Sequence, residues 1–432
     1  MATSRNAREG EGHISDDIED SHAPLITSIR EMLHALHPIP NDCSIYRTPT
    51  ALRKVNEKMY TPELVSLGPL HHGKKELQKM EKHKLRYLQT FVNRTGLSLE
   101  TCISVIKKHK DIARSCYAEE LELTDDEFVK MLLLDSCFVI EVIWRDTTHN
   151  RIRRQTDYLS SRELILDVMT DMILLENQIP FFLLDDLYSI AFKDNKFLKL
   201  SIRYFSALVP AEDFHKMGRN LVKPKHFLDL LRTCHLPSTP RPQSTKEAES
   251  YIRIRSAAEL KEAGIDFKRG SSDCLLDIRY SSGVLQVPLI RVDDSTEIVL
   301  RNLVALEQCL YPYDSYVIDY IYFMDALIDT FKDVDLLTKK GIIKSDLGDS
   351  STVAALFNNL GMNVMLSSTY YFHHVSVDLN AYHDVPQHKW KATFKRDYCS
   401  TPWMIASTVA AIILLALTLI QAICSIISLF KG

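Results

Sequence analysis

The stretch Gly68-Pro-Leu-His-His-Gly-Lys74 has the G-x-x-x-x-G-K spacing of a phosphate-binding loop, whose backbone N–H groups cradle phosphates while the lysine reaches them. The apolar run Met131–Leu134 ending in Asp135 even mimics the carboxylate that would hold Mg²⁺. Four features argue against that chemistry. Lys75 stands where a Ser or Thr would contact the metal, and Pro69, His71 and His72 are bulky where the backbone must curl around an anion. The flanking chain lacks alternating βα units, and Asp135 follows a helix-start signature, which puts it in mid-helix. The expectation is a tight turn that starts a basic helix.

The other reactive residues give no constellation. His71-His72 and His373-His374 are adjacent pairs, and His383 stands near His388; neighbours on a helix point about 100° apart, so a pair chelates poorly. A metal needs three or four convergent ligands. No G-x-S-x-G occurs, and no cysteine carries a nucleophile signature. Glu176-Asn177-Gln178 ahead of Pro180 is read as side chains satisfying loose backbone groups at a helix junction, and Asp135 and Glu141 as partners of a buried arginine or of backbone groups. No catalytic, cofactor-binding or metal-ligating residue is expected, and the chain is read as not an enzyme; the alternative is a membrane-bound enzyme or small-ligand-binding protein with a non-obvious site.

The chain has 432 residues, 46% hydrophobic and 25% charged, with a formal net charge of -4. That balance is globular and argues against a nucleic-acid partner. Nine cysteines are scattered without a C-x-x-C, which suits a reducing compartment.

Residues 1–40 are polar and acidic and are read as a disordered arm, with a helix over Ile26–Leu36 from the spacing of Ile26, Ile29, Leu33 and Leu36. The first half of the body, 41–235, is helical. A helix from Lys74 turns Leu77, Met80, Leu85, Leu88, Phe91 and Val92 inward, with the Lys84 stem along that stripe and its charge in water. A second runs Ser98–Ala118. Thr124 and Glu127 form a capping box for a third, central helix. Trp144–Thr156 reads as a loop, Arg162–Glu176 as a buried helix, and Phe181–Phe192 and Lys196–Leu208 as two more, with a short one over His226–Thr233. The Pro-rich segment 236–249 is the best loop or linker. In the second half, 250–398, Ser256–Ala263 is helical, then Leu276, Ile278 and Tyr280 alternate, Ser281-Ser282-Gly283 turns, and Leu285 and Val287 alternate back as a hairpin. Helices follow at Ser295–Leu310, Ser315–Thr330, Ser351–Leu360 and Tyr370–Tyr382.

From Trp403 to Phe430 no charged residue occurs. A helix of that length extends roughly 42 Å against a hydrocarbon core of about 30 Å, so the segment predicts a tilted membrane span. Trp403, Ile405, Ile412, Leu415, Leu419 and Phe430 are its anchoring residues. Gln421 offers a hydrogen bond to a second copy of the helix, hence a homodimer through the membrane; Ala406 and Ala410 permit close approach, and Cys399 is placed for acylation. The N-terminus has no apolar signal region, so this helix is expected to be the targeting device. Lys389, Lys391, Lys395 and Arg396 precede it, against Lys431 after it, which predicts a cytosolic body. The sequon Asn93-Arg94-Thr95 would then stay bare. The length of the run favours the plasma membrane.

The blocks CSIYRTPTALRKVNEKMYTPELVSLGPLHHGKK, FVKMLLLDSCFVIEV, DMILLENQIPFFLLDDLY, HFLDLLR, AAELKEAGIDF, LLDIRY and TEIVLRNLVALEQC, followed by the apolar run, resemble in this order the plant family called domain of unknown function 247. The resemblance covers about residues 43–430. It implies a plant protein held at a membrane, with no established catalytic residues; some relatives in grasses are linked to self-incompatibility as candidate recognition determinants. The fold class expected is mainly α, a multi-helix globular body with a small β-hairpin region and one C-terminal transmembrane helix. The function expected is protein–protein recognition or signalling by a membrane-tethered body, with the lipid bilayer and an unidentified protein as partners and no cofactor.

Overall fold

The computed structural model describes residues 14–35, 43–148, 159, 161–209, 223–237, 251–398 and 401–431. Helix α1 (Ile14–Ala35) belongs to a unit separate from the body that begins at Ser44. It starts twelve residues before the Ile26–Leu36 helix expected from apolar spacing, and it carries Pro24 internally. Where the reading was a disordered arm, this stretch is helical, and its residues 22–33 are exposed.

The first half of the body is built from α2 (Thr50–Arg53), α3 (Gln78–Thr95), α4 (Leu99–Ser115), α5 (Asp125–Thr147), α6 (Arg162–Asp171), α7 (Phe181–Phe192), α8 (Phe197–Tyr204) and α9 (Phe227–His235). The second half contains α10 (Ala257–Glu262), β1 (Asp266–Arg269), β2 (Arg279–Ser281), β3 (Val284–Val287), β4 (Ile290–Val292), α11 (Thr296–Leu310), α12 (Tyr316–Leu327), α13 (Phe331–Lys339), β5 (Ile343–Ser345), α14 (Ser350–Leu360), α15 (His373–His383) and α16 (Pro386–Tyr398). Helix α17 (Pro402–Lys431) closes the chain. The expected class, mainly helical with a small hairpin and one long apolar C-terminal helix, is the class observed.

Helix α5 is the axis of the first half. Thr124 accepts from the Glu127 N–H while the Glu127 carboxylate takes the Thr124 N–H, a capping box that satisfies two otherwise orphaned donors. Its run Met131–Ile143 is buried on every side because α3, α4, α7 and α8 all pack on it. The helix continues through Trp144 to Thr147, so the expected loop begins later than Trp144; residues 149–158 lie outside the described set. Helix α6 is shorter than expected. It stops at Asp171 rather than Glu176, and its outer turns are partly exposed, Leu166 among them. The cause lies just beyond it. Asn177 Nδ2 donates to the Asp171 carbonyl, and Gln178 Nε2 to those of Met172 and Leu174, taking acceptors that helical N–H groups would otherwise use.

The expected hairpin is present. β2 pairs antiparallel with β3, Tyr280 opposite Leu285, across a turn in which Ser282 and Gly283 both have positive φ. Leu276 and Ile278 are buried but precede the strand. Sequence alternation missed β1, which joins β3 in parallel, and the parallel pair β4–β5. These strands are three or four residues long, too short to show a period. Helix α13 was missed too, and Leu85, expected on the inward stripe of α3, is exposed.

One hydrophobic cluster runs through both halves of the body, from Ile45 to Leu379. Asn302 of α11 ties them: its Oδ1 accepts from the Leu175 N–H at 2.9 Å, and its Nδ2 donates to the Met59 carbonyl at 2.7 Å. Arg232 of α9 pairs with the buried Glu307 of α11 at 2.9 Å, and Glu307 also accepts the Ile318 N–H. The Pro-rich segment falls, from residue 238 on, outside the described residues.

Candidate functional site

The Gly68–Lys74 motif is a turn pinned from behind. Gly68 has φ +71°, and a Cβ placed on it would lie 2.5 Å from the Gln178 carbonyl oxygen, so glycine is required there. Its N–H donates to Asp135 Oδ2 at 2.9 Å, which turns it away from any phosphate. His71 is buried with Nε2 3.2 Å from Glu176 Oε2. A single 3₁₀ turn, Lys75–Leu77, then leads into α3. The reading of a tight turn that starts a basic helix matches this geometry.

Lys84 corrects an expectation. Its side chain is 0% exposed rather than reaching water. Nζ lies 2.5 Å from Asp135 Oδ1 and 2.6 Å from Glu81 Oε1, and donates to the Ser66 carbonyl at 2.6 Å. The partner of Asp135 is therefore a buried lysine and a backbone N–H. An apolar-stripe argument misses this, because a long stem on a buried face can end either at the surface or on a carboxylate inside. Glu141, six residues further along α5, takes Arg94 at 2.6 Å and Arg145 at 3.1 Å, and the Arg94 guanidinium lies 3.8 Å from the Trp144 ring centre.

The Glu176-Asn177-Gln178 junction satisfies backbone groups, as its composition suggested. Asn177 Oδ1 accepts the Leu67 N–H and its Nδ2 donates to the Val65 carbonyl. Gln178 Oε1 accepts from Phe227 N, at the start of α9. Asp171 receives the N–H groups of Glu63, Leu64 and Val65 at 2.8–3.0 Å, and burial pushes its carboxyl up to about 7 against those three donors. Glu176 receives the Thr48 N–H at 2.9 Å, Arg53 at 2.5 Å and Arg47 at 3.5 Å. Burial alone would raise its carboxyl, but the bonds from His71, Arg53 and Thr48 outweigh that and hold it at about 2. Burial lowers His71 below the usual imidazole range. Acid, base and cation thus converge here, yet Glu176 has no exposed surface through which a substrate could reach it.

The remaining histidines do not converge. His373 and His374 stand edge to face, His383 contacts Asp384, and His388 stacks on Tyr382. Among the described residues no group of three or more His, Cys, Asp or Glu is arranged to hold a metal. A cleft of about 400 Å³ opens between Arg253, Ser256, Glu259, Asp329, Asn380 and Asp384; its charges are of both signs and select no ligand class.

Helix α17 is long and apolar enough to cross a membrane over Pro402–Ile427, 26 residues, and none of that window is buried. Trp403, Ile405, Ile412, Leu415, Leu419 and Gln421 are all exposed; Phe430 lies in the last turn. The helix before it, α16, holds an aromatic row that the sequence reading passed over. Trp390, Phe394 and Tyr398 recur every fourth residue, one helical face, and all three are exposed.

The family model described as plant protein of unknown function, DUF247, matches residues 45–417. The chain is similar to the UPF0481 protein At3g47200 of Arabidopsis thaliana, 28% identical over 89% of this chain and 87% of that one. It is also similar to the putative UPF0481 protein At3g02645 of the same plant, 22% identical over 90% and 91%. No solved structure matches.

Proposed function

The chain belongs to the plant family DUF247, of unknown function, and on that premise we propose that it is a membrane-tethered recognition protein rather than an enzyme. The observation that carries the reading is the fully exposed apolar helix α17 beside a body whose own core is complete. In water a bare helix of this kind is costly, since every apolar side chain outside a bilayer forfeits its transfer free energy. The body's buried carboxylates support the second half of the reading: Asp135, Glu141, Asp171, Glu176 and Glu307 are each bound to a cation or a backbone N–H of the fold. A general acid or base must instead face a substrate.

The body works from the cytosolic face of the plasma membrane in this proposal, supported by the basic residues that precede the span. Its partner is a protein, and the self-incompatibility linked to relatives would be one such recognition role. Gln421 supports self-association within the bilayer, worth about 1 kcal/mol. Proximity labelling of the intact protein in plant cells, beside a variant lacking 402–431, tests the tether. Loss of the neighbour set on deletion is expected. An unchanged set would refute the idea that the tether governs partner access. An N-terminal tag protected from protease in sealed vesicles would overturn the cytosolic assignment.

A further inference from the structure

Helix α16 touches the body through one side and leaves a ring-bearing side open. Its inner contacts are with α10 and α15, where His388 stacks on Tyr382 at 3.8 Å between ring centres and its Nδ1 lies 3.1 Å from the Tyr382 carbonyl oxygen. On the open side Trp390 is 75% exposed, and Phe394 and Tyr398 stack on each other with centres 5.3 Å apart. Trp403 extends the aromatic series into the first turn of α17, at 83% exposure. The sequence of α16 also supplies Lys389, Lys391, Lys395 and Arg396 against one acid, Asp397.

One hydrogen bond fixes where this helix meets the next. Thr408 Oγ1 donates to the carbonyl of Tyr398, the last residue of α16, at 3.1 Å. Thr408 lies six residues along α17 from Pro402, about 9 Å down its axis. The end of α16 is therefore held beside the second turn of the apolar helix. If that helix crosses a bilayer with Pro402 at the surface, Tyr398 sits near the depth to which interfacial helices sink, about 5–10 Å.

We propose that α16 is an interfacial helix that lays Trp390, Phe394 and Tyr398 into the headgroup layer of an anionic leaflet. This rests on α17 being a span. Aromatic rings partition to that layer because one part is apolar and another polar. Basic residues next to a span are drawn to anionic lipid, and the attraction falls off within a Debye length. The consequence is orientation: seated at both α16 and α17, the body presents one fixed side to the cytosol instead of swivelling on a single tether.

The test uses the full-length protein reconstituted into vesicles of phosphatidylcholine, with or without phosphatidylserine, in which a fraction of the lipid carries bromine high on the acyl chain. Two forms are compared, W403F and W403F/W390F; the difference in quenching reports Trp390, while Trp144, packed on Phe192, is common to both. Strong quenching of Trp390 is expected with phosphatidylserine. Its seated-to-free ratio should drop roughly a hundredfold without it, from three net basic charges. The variant K389Q/K391Q/K395Q/R396Q should lose most of the quenching yet stay with the vesicles in an alkaline wash. With the basic residues intact and phosphatidylserine present, retention with Trp390 unquenched would overturn the interfacial helix alone, and equal quenching in both lipids would overturn the anionic preference. Release in the wash would overturn the span and this inference together.

Discussion

Glu176 and Asp171 lie five residues apart and respond to acid in opposite senses. The Glu176 carboxyl is held at about 2, below its ordinary 4.5. Its contribution to stability is complete above 4.5 and is lost as pH falls through 2, because the unfolded chain takes up the proton first. Asp171 is raised from 3.8 to about 7. Between those values the folded protein keeps a proton that the unfolded chain has released, so stability declines as pH rises through that window. Urea titrations from pH 4 to 8 should show Asp171→Asn flattening the decline. Glu176→Gln should cost about 2–3 kcal/mol at pH 7, less than an enclosed ion pair because Arg47 and Arg53 can turn to water, and should make the acid limb below pH 4.5 shallower. Much of this was legible beforehand. The cluster Glu-Asn-Gln before a proline signalled a junction with backbone groups to satisfy. Which distant backbone it satisfies, that of residues 48, 65 and 67, was not legible, since hydrogen bonds over a hundred residues apart leave no periodic trace.

Helix starts are readable where caps are local: Thr124 accepts the Glu127 N–H expected of it, and the helices expected from Ser98 and Ser256 do begin there, each serine accepting an N–H three residues on. Helix α6 was misjudged because its end is decided by side-chain amides rather than by its own apolar pattern. The turn at Gly68 shows the same dependence on distant chain. Its spacing suggested phosphate, but its conformation answers to the Gln178 carbonyl behind it. Gly68→Ala should destabilise the body by more than about 2 kcal/mol, combining positive-φ strain with the backbone clash, and circular dichroism melts would read it. Gly73→Ala, also at positive φ but with open space around it, should cost only the strain, about 1 kcal/mol. Equal losses at the two positions would mean that the close approach to Gln178 does not matter.

At the scale of the whole molecule, the proposed attachment through α17 and the folding of the body should be separable. Leu415 is 68% exposed near the middle of α17 and is not part of the body's core cluster. Leu415→Arg should raise the cost of insertion by about 3–4 kcal/mol and weaken resistance to alkaline extraction, while the thermal transition of the body stays unchanged. A body that unfolded with that substitution would show that α17 is part of its core. The two halves on either side of the Pro-rich segment were drawn as separate stretches on composition, and composition was silent on whether they share an interior. The cluster running from Ile45 to Leu379 and the Asn302 contacts answer that in spatial terms.

Those Asn302 contacts also set a schedule for synthesis. The amide reaches back 127 residues to Leu175 and 243 to Met59, so the first half lacks these two contacts until α11 has left the ribosome. Closure over such separations is slow, because the chain must lose its loop entropy before the contacts repay it. Nascent chains stalled shortly before residue 296 should be cut readily by protease within 44–237, and chains long enough to expose α11 should resist. Through that interval the faces of α9 and of the Glu57–Tyr60 turn that pack on α11 are uncovered while translation continues, which makes this protein a natural client for chaperones that wait at the tunnel exit.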